Sequence, residues 1–355
     1  MSALLDATVA SIRSLDTEAM RRARARQSHL TKPADSLGRL EALSIQLAGV
    51  TGTERPRLGA TAIVIMAADH GVAAEGVSAY PPSVTVEMIR NFLAGGAAIN
   101  AIARMLNARV TVVDMGTSTP VASDDPRLIL RRVAAGTANI ARGPAMTRGQ
   151  ALTAVEAGIA IAEDLAGQRV GVVCAGEMGI GNTTAASAII AAVTRRPAAA
   201  VTGRGTGLDD AGLVRKVEVI ERALRINRPD PSDPLDVLAK VGGFEIGGLI
   251  GLMLGAAKRR LTIVVDGLIS TAAALLAVRF SPAVQGYLVA GHRSVEPGHA
   301  VALDAIGLEP LLALELRLGE GSGAALAVPI VRAAARTLAE MATFEEAAVS
   351  PGADP

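Results

Sequence analysis

Residues 62–71 read Ala-Ile-Val-Ile-Met-Ala-Ala-Asp-His-Gly. The apolar part, Ala62–Ala68, is continuous and does not alternate with polar residues, which is typical of a strand buried on both faces of a parallel sheet. Five similar runs, each followed by a helical stretch, are Val110–Asp114, Val170–Cys174, Ala198–Thr202, Leu261–Asp266 and Tyr287–Ala290. Strands that alternate with helices predict an α/β fold with a doubly wound, mainly parallel six-stranded sheet.

These runs delimit one large α/β domain, which we place at residues 55–305. On either side of it, apolar residues recur with the spacing of amphipathic helices. We therefore predict that residues 1–54 and 306–350 pack together as a small helical domain. The last segment, 351–355, is Pro-Gly-Ala-Asp-Pro and is predicted to be a disordered tail.

The composition is not typical of a nucleic-acid-binding protein. The 355 residues include 35 Lys and Arg against 34 Asp and Glu, a net charge of +1, so no basic field favours nucleic acid. There is no Trp, and two Tyr and four Phe leave few rings on which the bases of a single strand could stack. We expect no nucleic acid among the partners.

The N-terminal sequence and Cys174 bear on location. The first residues lack the basic start and the apolar core of a signal peptide. The most apolar internal run, Ile246–Ala257, is about a dozen residues long, against roughly 20 needed to span a bilayer. A single cysteine allows no internal disulfide and no thiolate zinc site. We predict a cytoplasmic protein without a membrane span.

Loops rich in glycine and polar residues follow most of the predicted strands, where open α/β sheets bind their ligands. They are residues 68–81, 114–117, 176–184, 202–210 and 291–294. Glycine turns that open helices expose backbone N–H groups, which suit a phosphate. The hydroxyls of Thr183, Thr184 and Ser294, with Lys216, could complete such a site. Taken singly, each loop also fits an ordinary turn; five on one face of a sheet favour a ligand.

The clearest candidate for chemistry is the stretch 317–323, Arg-Leu-Gly-Glu-Gly-Ser-Gly. Three glycines around one carboxylate cost conformational entropy that a surface turn seldom requires. A Glu in an apolar setting has a raised pKa and can act as a general base near neutral pH. Glu320 is therefore our candidate base, and a solvated loop carboxylate is the alternative.

Other polar features are less specific. Asp69-His70 could form a catalytic pair or a structural hydrogen bond at a strand end. His292, Glu296 and His299 flank a proline, and their spacing does not imply metal-ligand geometry, so we predict no metal site. Asp114 and Asp266 end predicted strands and could cap helices or bind ligand hydroxyls. The basic run 21–26 is typical of a solvated helix face.

Seven motifs, spread over nearly the whole chain, follow the order of a known family. They are Lys32–Glu41 (Lys-Pro-x-x-Ser-Leu-Gly-Arg-Leu-Glu), Asp69–Val72, Glu75–Pro81, Gly95–Asn100, Gly176–Thr184, Gly291–His299 and Arg317–Gly323. On these motifs the sequence resembles the nicotinate-nucleotide–dimethylbenzimidazole phosphoribosyltransferases, pentosyltransferases of cobalamin nucleotide-loop assembly. The resemblance implies a Rossmann-like large domain, a small helical domain, a homodimer, and no cofactor.

The resemblance also implies substrates and residue roles. The substrates would be nicotinate mononucleotide and 5,6-dimethylbenzimidazole or a related base. By position, Glu320 corresponds to the family's general base and Glu177 to a second carboxylate near the reacting centre. The nucleotide-binding candidates are Gly176, Gly179, Gly181, Asn182, Thr183, Gly203, Gly205, Asp209, Lys216, Ser294 and Gly319.

The base-binding candidates are Ser78, Tyr80, Val86 and Leu318. Val86 is apolar where relatives can carry a polar residue, which leaves the preferred acceptor open between benzimidazoles, adenine and a phenol. A non-catalytic nucleotide-binding homologue is a second alternative, although it would have no use for Glu320. A dinucleotide-dependent oxidoreductase would need Gly-x-Gly-x-x-Gly after the first strand, and that pattern is absent there.

Overall fold

Six parallel strands form a single sheet in a computed structural model, which describes residues 2–350. They are β1 (Ala60–Ala68), β2 (Arg109–Gly116), β3 (Leu128–Leu130), β4 (Val170–Met178), β5 (Thr262–Val265) and β6 (Leu288–Ala290). Their order is β3-β2-β1-β4-β5-β6, the arrangement of a doubly wound Rossmann-like sheet. The predicted fold class is confirmed.

The centre of the sheet is the point where the strand order reverses. Ala67 near the end of β1 pairs with Asp114 on one side and with Met178 on the other, so the carboxyl ends of β1, β2 and β4 lie side by side. In open α/β sheets such a reversal leaves a crevice outside the carboxyl ends of the strands, where ligands bind. The loops that follow β4, β5 and β6 reach this edge.

Two details of the predicted sheet were wrong. The run Ala198–Thr202 is not a strand, because its core forms the short helix Ala198–Val201. Three consecutive alanines favour a helix over a strand, and hydrophobicity alone cannot make that distinction. The sixth strand is instead β3, a three-residue edge strand that is only partly buried and therefore has little apolar signal.

The described residues form α-helices before, between and after the strands. They are α1 (Ala3–Ser11), α2 (Thr17–Gln27), α3 (Arg39–Thr51), α4 (Ser83–Ala94), α5 (Ala98–Met105), α6 (Arg148–Gly167), α7 (Asn182–Thr194), α8 (Ala198–Val201), α9 (Asp210–Asn227), α10 (Pro234–Val241), α11 (Phe244–Lys258), α12 (Leu268–Phe280), α13 (Pro297–Ile306) and α14 (Ser322–Glu340). Short 3-10 helices occur at Gly71–Glu75 and Pro282–Tyr287.

Helices cover both faces of the sheet. Along β1, Ile63 and Ile65 share a core with α3, α4, α5 and α14, while Val64 and Met66 share a core with α6, α7, α11 and α12. This alternation along a fully apolar strand is what a sheet buried on both faces requires. Both faces are packed with aliphatic side chains, as expected from a chain with only 2% aromatic residues.

Helices from the two ends of the chain meet. Ala23 of α2, Ala48 of α3 and Leu338 of α14 form a small apolar cluster, and Leu30 forms an isolated β-bridge with Thr343. The division into residues 55–305 and a domain of residues 1–54 and 306–350 remains a prediction. The predicted tail, residues 351–355, lies outside the described residues.

Candidate active site

A cavity of about 430 Å³ lies beyond the carboxyl ends of β4, β5 and β6, within the size range of small-ligand sites. The loop after β4, the starts of α7 and α12, the loop after β6 and the glycine loop before α14 contribute to its walls. Ten of the predicted site residues line it: Tyr80, Glu177, Gly179, Asn182, Thr183, Gly205, Ser294, Leu318, Gly319 and Glu320. The sequence thus predicted one cavity from loops that are far apart in the chain.

The Glu320 loop has an unusual backbone. Gly319, Glu320 and Gly321 have φ values of +85°, +62° and +84°, so three consecutive residues are left-handed. Such φ values are unfavourable for a residue with a Cβ and easy for glycine, which explains the glycines on either side of the carboxylate. The backbone oxygen of Glu320 lies directly over Gly176 of β4, where a Cβ would approach it to 2.6 Å.

The Glu320 carboxylate is buried but close to the cavity. The residue is 5% exposed, and Oε2 accepts a hydrogen bond of 3.3 Å from the backbone N–H of Ile99. Burial raises the pKa of this carboxyl, the Ile99 N–H lowers it, and the negative charge of Asp266 raises it again. A carboxylate with a raised pKa, open to a ligand cavity, suits a general base near neutral pH.

A second buried carboxylate, that of Glu177, lies at the end of β4. It accepts a hydrogen bond from the Asn182 side chain, and a Cβ on Gly319, which has a φ of +85°, would approach Oε1 to 2.4 Å. Burial, followed by the charges of Asp266 and Glu245, raises the pKa of Glu177 to about 8. Two carboxyl groups with raised pKa values therefore face one cavity, as is frequent at catalytic sites.

The pKa of Glu177 predicts a pH effect on stability. Its value is about 8 in the folded protein against 4.5 ordinarily, so the folded state binds the proton more tightly and stability falls as pH rises through this window. We expect Glu177→Gln to stabilise the free protein at alkaline pH, on the order of 2–4 kcal/mol. Urea unfolding between about pH 5 and pH 9 measures this effect. The control is Glu87→Gln, because Glu87 is exposed. If the free energy of unfolding changed with pH equally in the two variants, the raised pKa of Glu177 would be contradicted.

One end of the cavity combines a buried cation with a helix start. Lys216 of α9 is fully buried, and its Nζ donates hydrogen bonds to Thr183 Oγ1 at 2.8 Å and to the Gly203 carbonyl at 3.3 Å. Burial lowers the pKa of Lys216 to about 8, while the charge of Glu296 raises it. Thr183 lies in the first turn of α7, whose N–H groups carry the positive end of the helix dipole. This end suits a phosphate.

Another part of the cavity wall is more apolar. Tyr80 and Leu318, which are 54% and 56% exposed, line it together with Val84 and Met88 of α4. Val84 and Met88 are four residues apart and thus share a helix face. Val86 lies on the opposite face of α4 and is buried in the core, so it does not line the cavity.

Six other predicted site residues do not line the cavity, and each has a local structural role. Gly181, at φ +98°, begins α7, and Asp209 caps α9 by accepting from the N–H of Gly212 at 2.8 Å. Ser78 contacts Thr206, a lining residue, at 3.2 Å between hydroxyls. Gly176 and Gly203 allow close approach of Glu320 and Glu296, and Lys216 acts through Thr183.

Several lining residues were not among the predictions. They are Val84, Met88, Met178, Ile180, Thr206, Gly267, Leu268 and Ile269, with His292, Glu296 and Arg317 from stretches that were given other interpretations. The amphipathic pattern of residues 83–94 could have identified Val84 and Met88. Leu268 and Ile269 lie in the first turn of α12, and nothing in their sequence distinguishes them from core residues.

The Asp69-His70 pair does not reach the cavity. His70 Nε2 is 2.7 Å from Glu245 Oε1, and both side chains are buried. Asp69 accepts hydrogen bonds from the N–H and the hydroxyl of Ser118, each at 2.7 Å. The structural interpretation of this pair therefore holds. Within residues 2–350, no three His, Cys, Asp or Glu side chains gather closely enough to hold a metal ion.

Similarity to known proteins decides the family. A family model described as a phosphoribosyltransferase matches residues 12–349. The chain is 59% identical over 347 residues to nicotinate-nucleotide–dimethylbenzimidazole phosphoribosyltransferase of Roseiflexus sp. (strain RS-1), and the alignment covers 98% of both chains. The chain belongs to this phosphoribosyltransferase family. The protein of the same name from Chloroflexus aggregans is 57% identical over 98% of both chains.

A solved structure supports the same family at the level of the fold. The crystal structure of the phosphoribosyltransferase of this name from Thermus thermophilus matches with a TM-score of 0.90 and 47% identity, over 95% of this chain and all of that one. None of the helices between residues 2 and 350 combines the length and the hydrophobicity that a bilayer crossing needs.

Proposed function

We propose that this chain transfers the phosphoribosyl group of nicotinate mononucleotide to 5,6-dimethylbenzimidazole or a related base. The products would be nicotinate and α-ribazole 5′-phosphate, a precursor of the cobalamin nucleotide loop. The observation that supports the proposal best is one cavity with a phosphate-suited end, an apolar end and two carboxyl groups, Glu177 and Glu320. The names of the relatives point to the same reaction.

The reaction needs little from the protein at its leaving group. The bond between ribose C1′ and the cationic pyridinium nitrogen breaks, and its electron pair returns to the ring, so nicotinate leaves without a general acid. No pyrophosphate departs, which removes the usual need for a magnesium ion at a leaving group. The attacking nitrogen approaches from the opposite face, so a β-configured substrate gives an α-configured product.

The acceptor is where acid–base chemistry is needed. When one nitrogen of the benzimidazole bonds to C1′, the ring becomes cationic and its second nitrogen becomes acidic. Glu320 is proposed to accept that proton, and Glu177, in its ionised form, to favour the positively charged ribose. Holding both substrates in line supplies much of the remaining acceleration.

The binding roles follow the two ends of the cavity. We propose that Thr183, Gly205 and Ser294, supported by Lys216, bind the phosphate. The remaining nucleotide-binding candidates would shape that end or support the carboxylates; they are Gly176, Gly179, Gly181, Asn182, Gly203, Asp209 and Gly319. Tyr80 and Leu318 would bind the acceptor base with Val84 and Met88, while Ser78 and Val86 would support that wall. The homodimer, the cytoplasmic location and the two-domain division are part of the same proposal.

Product analysis tests the proposed function. The protein is incubated with nicotinate mononucleotide and 5,6-dimethylbenzimidazole, and the products are identified by mass spectrometry and by the coupling of the anomeric proton. We expect nicotinate and an α-riboside phosphate. No nicotinate release with any acceptor would favour a non-catalytic homologue. Faster turnover with adenine or a phenol in the same assay would favour the alternative acceptors.

Lys216→Met is expected to act mainly on the nucleotide. Loss of the buried cation should raise the KM for nicotinate mononucleotide about tenfold or more, with little change in kcat, because a phosphate is bound equally before and during the reaction. Steady-state kinetics measures both constants. Lys258→Met is the control, since Lys258 pairs with Glu163 outside the cavity at 2.8 Å. An unchanged KM in Lys216→Met would place the phosphate elsewhere.

A further inference from the structure

The helix that follows Glu320 has no capping side chain of its own. α14 begins after Gly321, and glycine offers no acceptor for the free N–H groups of the first turn. Asp266, directly after β5, supplies it instead. Its Oδ2 accepts from the Gly321 N–H at 3.3 Å, and its Oδ1 accepts from the Ala324 N–H at 2.9 Å. A carboxylate at this position also complements the positive end of the helix dipole.

Asp266 is itself held firmly. It is 1% exposed, and its backbone N–H donates to the Ser270 hydroxyl at 2.8 Å. Both carboxylate oxygens accept hydrogen bonds from the start of α14, so two contacts fix that helix to the end of β5. Residue 320 lies directly before the capped segment, so its left-handed backbone is held between Asp266 and Gly176.

We propose that Asp266 is a positioning residue for the reaction, which holds the Glu320 carboxylate at the distance from the acceptor that proton transfer requires. This inference rests on the proposed function. Asp266 does not line the cavity and contacts no reacting atom. Its buried charge has a second effect, since it raises the proton affinity of Glu320 and makes it a stronger base.

Among residues 2–350, the titratable groups that interact with Asp266 or Glu177 include Glu245 and Cys174 as well as the two described next. Glu177 lies at the end of β4, and His292, after β6, has its Nε2 3.6 Å from Asp266 Oδ1. The Cβ of any residue at Gly323 would overlap the His292 ring, so the ring and α14 are tightly packed. Removing the charge of Asp266 therefore changes the electrostatics of Glu320 and Glu177 together.

The test is a double-mutant cycle with a matched control. Asp266→Asn should lower kcat about tenfold or more, because one charged hydrogen bond to α14 is lost, with the KM for nicotinate mononucleotide nearly unchanged. It should also move the acid limb of the kcat/KM profile to lower pH. In a Glu320→Gln background the same change should have little further effect, since residues that act as a unit are not additive.

Asp114→Asn is the control. Asp114 is a buried strand-end carboxylate that accepts from the N–H groups of Gly116 and Thr117 at 3.0 and 2.9 Å, away from the cavity. It should lose stability but keep kcat. Equal losses of kcat in the Asp114 and Asp266 variants, or additive losses with Glu320→Gln, would overturn the role of Asp266.

A substitute variant and the activity of the wild type separate the possible outcomes of this cycle. If Asp266→Asn does not fold, Ser270→Ala takes its place in the double-mutant cycle, because it removes the hydroxyl that holds Asp266. Its loss of kcat should likewise not add to that of Glu320→Gln. A wild-type protein that releases no nicotinate would contradict the proposed function. An active wild type with additive losses would contradict only the positioning role.

Discussion

Glu320→Gln is expected to fold and to bind nicotinate mononucleotide while its kcat falls by about 10²–10⁴-fold, the usual contribution of a general base. Glutamine is isosteric and can still accept from the Ile99 N–H, so the left-handed loop should keep its shape. It cannot take a proton from the acceptor. The loss should therefore appear in kcat, while the KM for the nucleotide stays near its wild-type value.

The pH profile separates this role from a structural one. The base must be ionised, and burial raises the pKa of Glu320, so wild-type kcat/KM should fall as pH drops through that raised pKa. The acid limb should be absent or displaced in Glu320→Gln. Thermal unfolding and nucleotide titration of the variant confirm that it is folded and binds. A kcat within a few-fold of wild type would remove Glu320 from the mechanism.

The fold could be read from the sequence where hydrophobicity and residue type agree. β1 and β4 are continuous apolar runs buried on both faces, and the loop after β4 carries Gly179, which lines the cavity. At Ala198–Thr202 the two signals disagree: the run is apolar, but its alanines favour the helix that the chain forms. β3 was missed because an edge strand of three residues buries too little to leave a pattern.

The site could be predicted where a residue type is itself unusual. A Glu between glycines is rare enough to indicate Glu320, and family resemblance added Glu177. The direction in which a side chain points could not be predicted from residue type in the same way. Val86 was predicted in the base pocket as part of a loop, but α4 begins at Ser83, and the helical period turns Val86 into the core while Val84 and Met88 face the cavity.

Roles that depend on contacts between distant segments could not be predicted from the sequence either. Gly176 was predicted to bind nucleotide because it belongs to a glycine-rich loop. It lies inside β4 instead, with the backbone of Glu320 against it. No local pattern reveals that a strand and a loop so far along the chain approach so closely. The absence of a side chain at residue 176 therefore determines where the proposed base lies.

Gly176→Ala should consequently lower kcat by about 10²-fold without touching a substrate, because a shift of about 1 Å in a catalytic group has effects of that size. Gly176 has an ordinary strand backbone, so alanine is not strained there. Its Cβ, however, would meet the backbone O, C and N atoms of residues 320 and 321 at 2.6–3.0 Å. Backbone atoms cannot rotate away, so the Glu320 loop must shift relative to β4.

An added methyl group in a tightly packed site also lowers the free energy of unfolding, typically by about 1–3 kcal/mol. The control variant must therefore lose a similar amount of stability. Gly171 lies at the opposite end of the same strand, where a Cβ would meet the backbone N of Gly59 at 2.3 Å. Gly171→Ala should lose stability in urea unfolding like Gly176→Ala, yet keep kcat. If both variants lose stability and only Gly176→Ala loses turnover, the position of Glu320 is the cause. Equal turnover in the two variants would contradict this prediction, because the reaction would then not depend on the position that Gly176 allows the Glu320 loop to take.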